Sequence, residues 1–405
     1  MSRELVDSGF FWLGKYPKAW KYNKGKYCYS IQTGKCDAGE ADNNGLYPFF
    51  TCSMTPKTIN KFSFDCEALL VAGNGIVGYT QYYKGKFDAY QRTYVLSDFN
   101  SEISVEYLKL YVSNLLNRCV ESKSVGSVIE FIKLDDLKQF DIVYPCLDEQ
   151  KRIINYLKPK IEKIDSLIEN VQSQIKKMYS YKYELIHQLC FLGNRNNPKR
   201  VIDIPYIFEI SDGFDLSKIG NIFEVKKEII GHEPDVVLSI TQQGIKVKDI
   251  NSNSGQQAES YKNYQIVNCG DFAMNHMDLL TGWVDISKYD GVTSPDYRVF
   301  RIKNNKYISR YFLYIFQDYY KRKVFYGFGQ GVSNFGRWRL PVENFKNIFI
   351  PVPTIEEQRE IVASLDFKCE KLDSLIEVKK KKIELLEEYK KSLIYEYVTG
   401  KKEVC

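Results

Sequence analysis

Two stretches of the chain repeat apolar residues with the spacing of paired helices. In the later stretch Leu365, Leu372, Leu386 and Leu393 keep a seven-residue register, which only Lys379 and Lys390 interrupt in the stripe. A narrow apolar stripe held over about five heptads is typical of a coiled coil, whereas a helix on a broad core carries a wider apolar face. The side chains expected to pair are Leu157, Ile161, Ile164, Ile168, Ile175 and Leu185 in the earlier stretch, and Leu365, Leu372, Ile376, Ile383, Leu386 and Leu393 in the later one.

The two stretches are copies of one another at an offset of 208 residues. From Pro145 to His187, 18 of 43 positions are identical in the second copy, where chance would give about three. Acidic residues open each helix against its positive N-terminus, and Gly193 and Gly400 follow as stop signals. Pro159 has no counterpart in the second copy, so we expect it to kink the first helix or to split it after Lys158.

Two matching apolar seams in one chain can pack against each other and so bury their apolar side chains. We therefore expect the helices to pair antiparallel within the chain and to act as a ruler between the intervening domains, since about 30 residues span roughly 45 Å. Self-association into a homodimer, or simple burial in a core, remains the alternative.

The segments outside the two long helices are predicted to be mixed α/β domains. Strand-like runs at 68–72, 94–96 and 347–350 alternate with glycine-rich loops, and each segment has one helical stretch, at 104–118 or 309–319. The predicted class is α+β, with two mixed α/β domains and two long paired helices in a pseudo-two-fold repeat. The expected boundaries are 1–144 and 194–350 for the domains, with 194–198 as a hinge, and 145–193 and 351–405 for the helical regions.

Composition narrows the class of protein. The 405 residues are 44% hydrophobic, which excludes a mainly disordered chain. The sequence contains no run of about 18 apolar residues, so no membrane span is predicted. The first residues lack a signal-peptide pattern, so a cytoplasmic location is expected. The ten cysteines form no CxxC pair and only three histidines are present, so we predict reduced thiols and no metal site.

Positive charge is concentrated in two stretches of the sequence. Six lysines and no acidic residue lie between Lys15 and Lys35, and eight basic residues accompany a single acid between Arg298 and Lys323. Such stretches attract phosphate backbones, although a solvated lysine-rich surface gives the same pattern.

The sequence contains no convincing catalytic motif. Gly73–Gly78 matches a dinucleotide-binding fingerprint in form, but residues 79–83 after it are not helical in character. No phosphate-binding loop and no Asp/Asn-Pro-Pro-aromatic motif is present, and His276 near Asp278 lacks a partnered nucleophile. We therefore assign no catalytic residue, and expect a glycine hairpin that can approach a ligand closely.

Several of these segments resemble the specificity subunits of type I restriction–modification systems. Residues 353–361, 372–376 and 397–401 are similar to the second conserved helical region of that family, and 145–189 to the first. Residues 7–14 with Pro17 and Trp20, together with 46–50, 75–78 and 331–353, resemble its target-recognition domains.

The resemblance implies a non-catalytic reader of DNA. Two target-recognition domains would each read one half of an asymmetric bipartite site in double-stranded DNA, and the paired helices would set the unread spacer. The family also implies two methyltransferase subunits as partners, which bind S-adenosylmethionine and methylate adenine, and restriction subunits that use ATP and Mg²⁺. No cofactor is expected in this chain, and no membrane partner.

Candidate DNA-contacting residues follow from side-chain chemistry, because Arg, Asn and Gln can bond base edges while Lys mainly holds phosphates. In the first domain they are Gly73, Asn74, Gly75, Tyr82, Tyr83, Lys84, Lys86, Gln91 and Arg92. In the second they are Gln242, Gln243, Lys246, Asn275, His276, Tyr297, Arg298, Gln330, Ser333, Asn334, Arg337 and Arg339.

Two other classes of function remain open from the sequence. A coiled-coil scaffold with two protein-binding domains would self-associate through an unpaired seam. An enzyme that uses the Gly73–Gly78 loop would bind a dinucleotide.

Overall fold

The computed structural model describes residues 3–123, 131–193, 198–250, 258–331 and 338–404. The chain divides into two compact units, one formed by residues 1–172 and 380–405 and the other by residues 173–379. The division therefore runs through each long helical region. No described helix is long and apolar enough to cross a membrane.

The first unit is built on a six-stranded sheet. Its strands and short helices are β1 (Leu5–Asp7), β2 (Lys15–Pro17), β3 (Lys21–Lys24), β4 (Ser30–Thr33), β5 (Tyr47–Phe50), β6 (Lys57–Ile59), β7 (Phe64–Ala72), β8 (Thr80–Ala89), β9 (Thr93–Ser97), α1 (Val105–Lys123), α2 (Leu134–Lys138) and β10 (Asp141–Tyr144). The sheet order is β4-β9-β7-β8-β5-β6, and only the β5–β8 pair is parallel.

Strand β7 shows why this sheet forms. Its side chains alternate between the faces, as the period of two requires. Leu69 and Val71 pack in the main core with the buried face of α1. Ala68 and Leu70 pack in a second cluster with Phe87. The near-continuous apolar run at the end of β7 is thus a strand buried on both faces.

The second unit has smaller sheets around a helix rich in aromatic residues. Its strands and short helices are β11 (Lys199–Ile204), β12 (Ile207–Ser211), β13 (Asp215–Lys218), α4 (Ile219–Ile222), β14 (Phe223–Lys226), β15 (Leu238–Thr241), β16 (Gly244–Val247), β17 (Gln265–Val267), β18 (Phe272–Met274), β19 (Val284–Ile286), β20 (Gly291–Thr293), β21 (Arg298–Ile302), α5 (Ser309–Lys321), α6 (Val324–Gly327), α7 (Val342–Asn347) and β22 (Phe349–Val352). The central sheet has the order β14-β21-β18-β19, and α5 packs against it through Phe312 and Phe316.

Some predicted boundaries were wrong. The strand expected from Asn347 begins at Phe349, because Asn347 ends α7. The helices expected at 104–118 and 309–319 continue to Lys123 and Lys321. In each unit a short antiparallel pair, β3–β10 or β13–β22, leads directly into a long helix.

The long helices are α3 (Leu147–His187) and α8 (Ile355–Val398). The expected split after Lys158 was wrong, since α3 continues as a helix through Pro159; the alternative expectation, a kink at Pro159, stays a prediction. Pro159 is exposed while Leu157 and Ile164 on either side are buried, so packing offsets the missing backbone hydrogen bond. A π-helical turn, Gln188–Leu192, follows α3, and the next residue is Gly193, whose φ of 63° suits glycine.

All twelve seam residues named above are buried or half-buried. In the first unit, the start of α3 runs antiparallel to the end of α8, with the Tyr156 and Tyr397 hydroxyls 2.9 Å apart. The second unit brings the end of α3 to the start of α8, where Lys182 Nζ lies 2.6 Å from Asp373 Oδ2. The seam is therefore covered by the chain itself, which removes the reason for scaffold-type self-association through an unpaired seam.

A buried glutamine anchors the start of each long helix. The Gln150 amide nitrogen donates to the carbonyls of Glu102 and Pro145, both at 2.8 Å, and its oxygen accepts from Ser104 N at 2.8 Å. Gln358, the equivalent residue, donates to Pro353 O and accepts from Ile308 N, both at 2.9 Å. The repeated Pro-x-x-x-x-Gln pattern thus fixes each helix to the segment before α1 or α5.

Candidate nucleic-acid interface

Half of the six lysines in the stretch at 15–35 form ion pairs within the first unit. Three of its lysines pair with acidic residues elsewhere in the unit: Lys18 with Glu4, Lys21 with Glu102, and Lys24 with Asp141. The Asp141 carboxylate is nearly fully buried. We therefore infer that these three lysines stabilise the fold and do not bind DNA, because a paired charge adds little to the attraction for phosphate.

Three of the eight basic residues in the stretch at 298–323 form ion pairs in the same way. Its ion pairs join Arg301 to Glu224, Arg310 to Asp366, and Arg322 to both Asp318 and Glu184. Charge density along the sequence therefore gives no direct map of the positive surface.

In the first unit, five candidate residues meet at one end of the large sheet. The loop with Gly73, Asn74 and Gly75 joins β7 to β8, and Gln91 and Arg92 form the turn into β9. The two turns touch, since Gly73 N donates to Arg92 O at 3.0 Å. Gly75 has a φ of 67°, a conformation that glycine adopts without strain. A strand follows this loop where a dinucleotide site requires a helix, so the dinucleotide interpretation fails.

The β5–β6 loop at 51–56, together with Lys57 at the start of β6, also belongs to this sheet end. An ideal Cβ on Gly75 would lie 3.2 Å from Cys52 O, and Gln81 Nε2 donates to Ser53 O at 3.0 Å. We call residues 51–57, 73–78 and 90–92 the sheet-end surface. It contains Lys57 and Arg92 and no acidic residue. The sequence analysis missed 51–57, whose only signal was a run of small polar turn residues.

The remaining candidates of the first unit lie along β8. Tyr82, Lys84 and Lys86 share its exposed face, but Lys84 is opposite Glu67 and Lys86 is opposite Asp65 on β7. The Tyr82 hydroxyl donates to Glu67 at 2.7 Å, and this hydrogen bond raises the pKa of Tyr82. Tyr83 points to the other face, where its ring packs on Phe50 and Phe87.

The second unit places three candidates on the β15–β16 hairpin. Gln242 and Gln243 are the two exposed residues of its turn, and Lys246 Nζ donates to Gln243 Oε1 at 2.5 Å. Gln242 Nε2 donates to Thr281 O at 2.9 Å, which ties the turn to the next loop. Asn275 is used locally, because its side-chain oxygen accepts from the backbone of Met277 and Asp278.

Four other candidates line one pocket of about 350 Å³ in the second unit: His276, Tyr297, Arg298 and Arg339. Gln330 is joined to Arg339 by backbone hydrogen bonds in both directions, at 2.8 and 3.1 Å. The pocket also contains residues that the sequence analysis missed, namely Val225, Lys226, Lys227, Ile229, Gln265, Pro295 and Val342. Ser333, Asn334 and Arg337 lie outside the described residues.

Burial shifts the pKa values of two residues that line this pocket, His276 and Arg298. It lowers the pKa of His276 to about 3, with help from the charges of Arg298 and Arg339. It also lowers the pKa of Arg298 to about 10, so the guanidinium stays protonated at neutral pH. His276 is therefore a neutral group and Arg298 a cation. Among the described residues no cluster of three or more His, Cys, Asp or Glu side chains could hold a metal ion.

The comparisons with known proteins all point to the same family. The model of the type I restriction modification DNA specificity domain matches residues 17–177 and 211–399. The EcoDI type I restriction enzyme specificity subunit of Escherichia coli is 38% identical over 160 residues, which cover 40% of this chain and 34% of that protein. This match thus spans about a third of the relative's length.

More distant relatives cover more of the chain. The putative MjaX type I restriction enzyme specificity subunit of Methanocaldococcus jannaschii is 24% identical over 327 residues, covering 78% of this chain and 69% of that protein. A chain from a solved type I R-M system, reported for its complex assembly and conformational transition, has a TM-score of 0.63 at 12% identity. It covers 95% of this chain and 98% of its own, which shows a shared fold.

Proposed function

Because the chain belongs to the family of type I restriction–modification DNA specificity domains, we propose that it is the DNA-recognition subunit of such a system. In this role it reads an asymmetric bipartite site in double-stranded DNA and directs partner subunits, and it carries out no chemistry itself. The observation that carries the proposal is the duplicated architecture, in which two family-matched segments, residues 17–177 and 211–399, each combine a mixed α/β domain with most or all of a long helix.

The two recognition domains correspond in this proposal to residues 1–144 and 194–350, and the spacer helices to 145–193 and 351–405. In the first domain the sheet-end surface contacts DNA. In the second, the β15–β16 turn and the rim of the 350 Å³ pocket do so. Exposed Arg92, Gln242 and Gln243 are suited to base edges, because their side chains can form paired hydrogen bonds.

The two halves of the site should differ in sequence. The domains share little sequence outside the helices, and their candidate surfaces are built from different elements, a sheet end in one and a hairpin turn with a pocket in the other. The long helices would set the distance between the half-sites, since DNA readers match their own spacing to that of the duplex. A 41-residue helix such as α3 is about 60 Å long.

The proposed partners are two methyltransferase subunits and, with them, restriction subunits. Apolar side chains left exposed on α8 support docking of another protein: Phe367, Leu375, Val378, Leu385 and Tyr389. S-adenosylmethionine would be bound by the methyltransferase subunits, and ATP and Mg²⁺ by the restriction subunits. A cytoplasmic location follows from the same proposal, because the DNA substrate is there.

Selection from a random duplex pool tests this function. The full chain, purified with a methyltransferase subunit, is expected to enrich a motif of two different half-sites with an unread spacer. Arg92→Gln should relax only one half-site, and Gln242→Ala only the other, because the two residues belong to different recognition domains. Failure to enrich any sequence, with the complex intact, would contradict the proposal.

A further inference from the structure

The pocket in the second unit carries positive charge without a matching acid. Lys227 and Arg339 are exposed at its rim, Arg298 is buried in it, and none of the described residues that line it is acidic. Lys226 also lines the pocket but is neutralised by buried Asp271, whose Oδ2 is 2.7 Å from its Nζ. Three cations thus converge on one cavity of about 350 Å³.

Arg298 is only 3% exposed and lacks a full set of partners. Its Nη2 donates to Leu340 O at 2.6 Å, and its guanidinium lies 4.8 Å from the centre of the Phe345 ring. Its Nη1 has no hydrogen-bond partner. A buried cation without a counter-charge is costly, and each unsatisfied buried donor adds to that cost. An acceptor group entering the pocket would supply both missing interactions.

The cationic groups of the pocket favour a ligand that accepts hydrogen bonds and carries negative charge. Lys227, Arg298 and Arg339 can only donate hydrogen bonds. Gln265, which could have offered an acceptor, is held by its amide donating to Ser294 O and Tyr297 O at 2.8 and 2.5 Å. A phosphate presents several acceptor oxygens together with negative charge, whereas a base edge is uncharged and cannot neutralise the buried cation.

We propose that Lys227, Arg298 and Arg339 bind one phosphate group, and that in the DNA-bound protein this is a backbone phosphate of the duplex. The second clause rests on the proposed function. Arg298 is then a positioning contact and not a base reader, because a side chain buried at 3% exposure cannot extend into a groove. It fixes the second domain on the duplex without discriminating sequence.

The test measures binding of the full chain to a 30-base-pair duplex of random sequence across a range of NaCl concentrations. Neutralising one phosphate contributes about 0.9 to the slope of log K against log salt. Arg298→Gln and Arg339→Gln should each lower that slope by up to about 0.9. The double variant should lose about 0.9 in total, because both residues hold the same phosphate. Lys288→Gln, an exposed lysine of the same unit outside the pocket, serves as the control and should change the slope less.

Other outcomes would overturn the proposal in distinguishable ways. An unchanged slope in both single variants, with the wild-type chain still binding the duplex, refutes the pocket and leaves the proposed function standing. A loss of about 1.8 in the double variant would mean two separate phosphates. No duplex binding by the wild-type chain refutes the proposed function as well.

A second measurement separates duplex phosphate from free phosphate. Inorganic phosphate, at ionic strength matched with chloride, should raise the thermal midpoint of the wild-type chain and not that of Arg298→Gln. If it does so while the duplex slope is unchanged in the variants, the pocket serves a free phosphate compound and the DNA assignment is wrong. Arg339→Gln, at the exposed rim, keeps the test valid if Arg298→Gln fails to fold.

Discussion

Lys390 Nζ lies 2.6 and 2.8 Å from the two carboxylate oxygens of Asp165. The pair joins α8 to α3 in the first unit, and it recurs in the second unit as Lys182 with Asp373, each residue displaced by 208 positions. Lys182 and Lys390 occupy stripe positions where an apolar residue is expected. Each lysine thus replaces an apolar seam contact by a charge pair at the equivalent place.

We expect these pairs to specify helix register more than to add stability. Both are partly exposed, and such pairs typically contribute less than about 1 kcal/mol. Double-mutant cycles with Lys390→Met and Asp165→Asn, and with Lys182→Met and Asp373→Asn, should give coupling free energies of about 0.5 kcal/mol that shrink with salt. A coupling several times larger in either unit would contradict this view.

Substitutions of Gln150 and Gln358 should change the free energy of unfolding more than loss of the lysine–aspartate pairs does. Gln150→Ala leaves Ser104 N and the carbonyls of Glu102 and Pro145 without their partner, so the free energy of unfolding should fall by about 3 kcal/mol. Gln358→Ala breaks two such bonds and should cost less. Chemical denaturation of the two variants side by side makes the comparison, and an equal or reversed order would refute the assignment.

Replacing Pro159 by alanine should stabilise the folded protein. It is exposed within α3 and removes a backbone hydrogen bond, while its replacement loses no buried contact. Pro159→Ala should raise the free energy of unfolding by about 2 kcal/mol, because proline is about 3 kcal/mol worse than alanine inside a helix. Lys158→Ala, at an exposed neighbouring position, is the control and should have little effect. A destabilised Pro159→Ala would show that a bend at this residue is required.

His276 should make stability depend on pH. Its folded-state pKa is lowered from 6.5 to about 3 by burial and by Arg298 and Arg339. Between those values the unfolded chain takes up a proton that the folded chain does not, so stability is lost as pH falls below 6.5. Between pH 7.5 and 5.0 this residue should account for about 2 kcal/mol. His276→Gln should remove that part of the pH dependence, and an unchanged profile would contradict the assignment.

The sequence was most informative where a pattern repeats locally. The seven-residue register identified both long helices, because a seam needs apolar side chains at fixed intervals. It could not show that Lys24 is paired with Asp141 or Lys21 with Glu102, since these partners are 117 and 81 positions apart. The unpaired Arg298 was named among the candidates, but as a base reader and without its burial.

The pseudo-symmetry of the fold also depends on distant contacts. The Tyr107 hydroxyl lies 3.0 Å from Val143 O and 2.8 Å from Val398 O. The Tyr311 hydroxyl lies 3.3 Å from Pro351 O and 2.9 Å from Cys190 O, the equivalent carbonyls. Each tyrosine ties the strand before one long helix to the end of the other. No local pattern predicts such a contact, because it closes the repeat across the whole chain.

Methylome sequencing tests the central claim most directly. The chain would be expressed with its methyltransferase subunit in a host free of other DNA methylation. The account predicts N6-methyladenine in a single bipartite motif whose two half-sites differ. A motif that repeats one half-site symmetrically, or an intact complex that methylates without sequence preference, would contradict it.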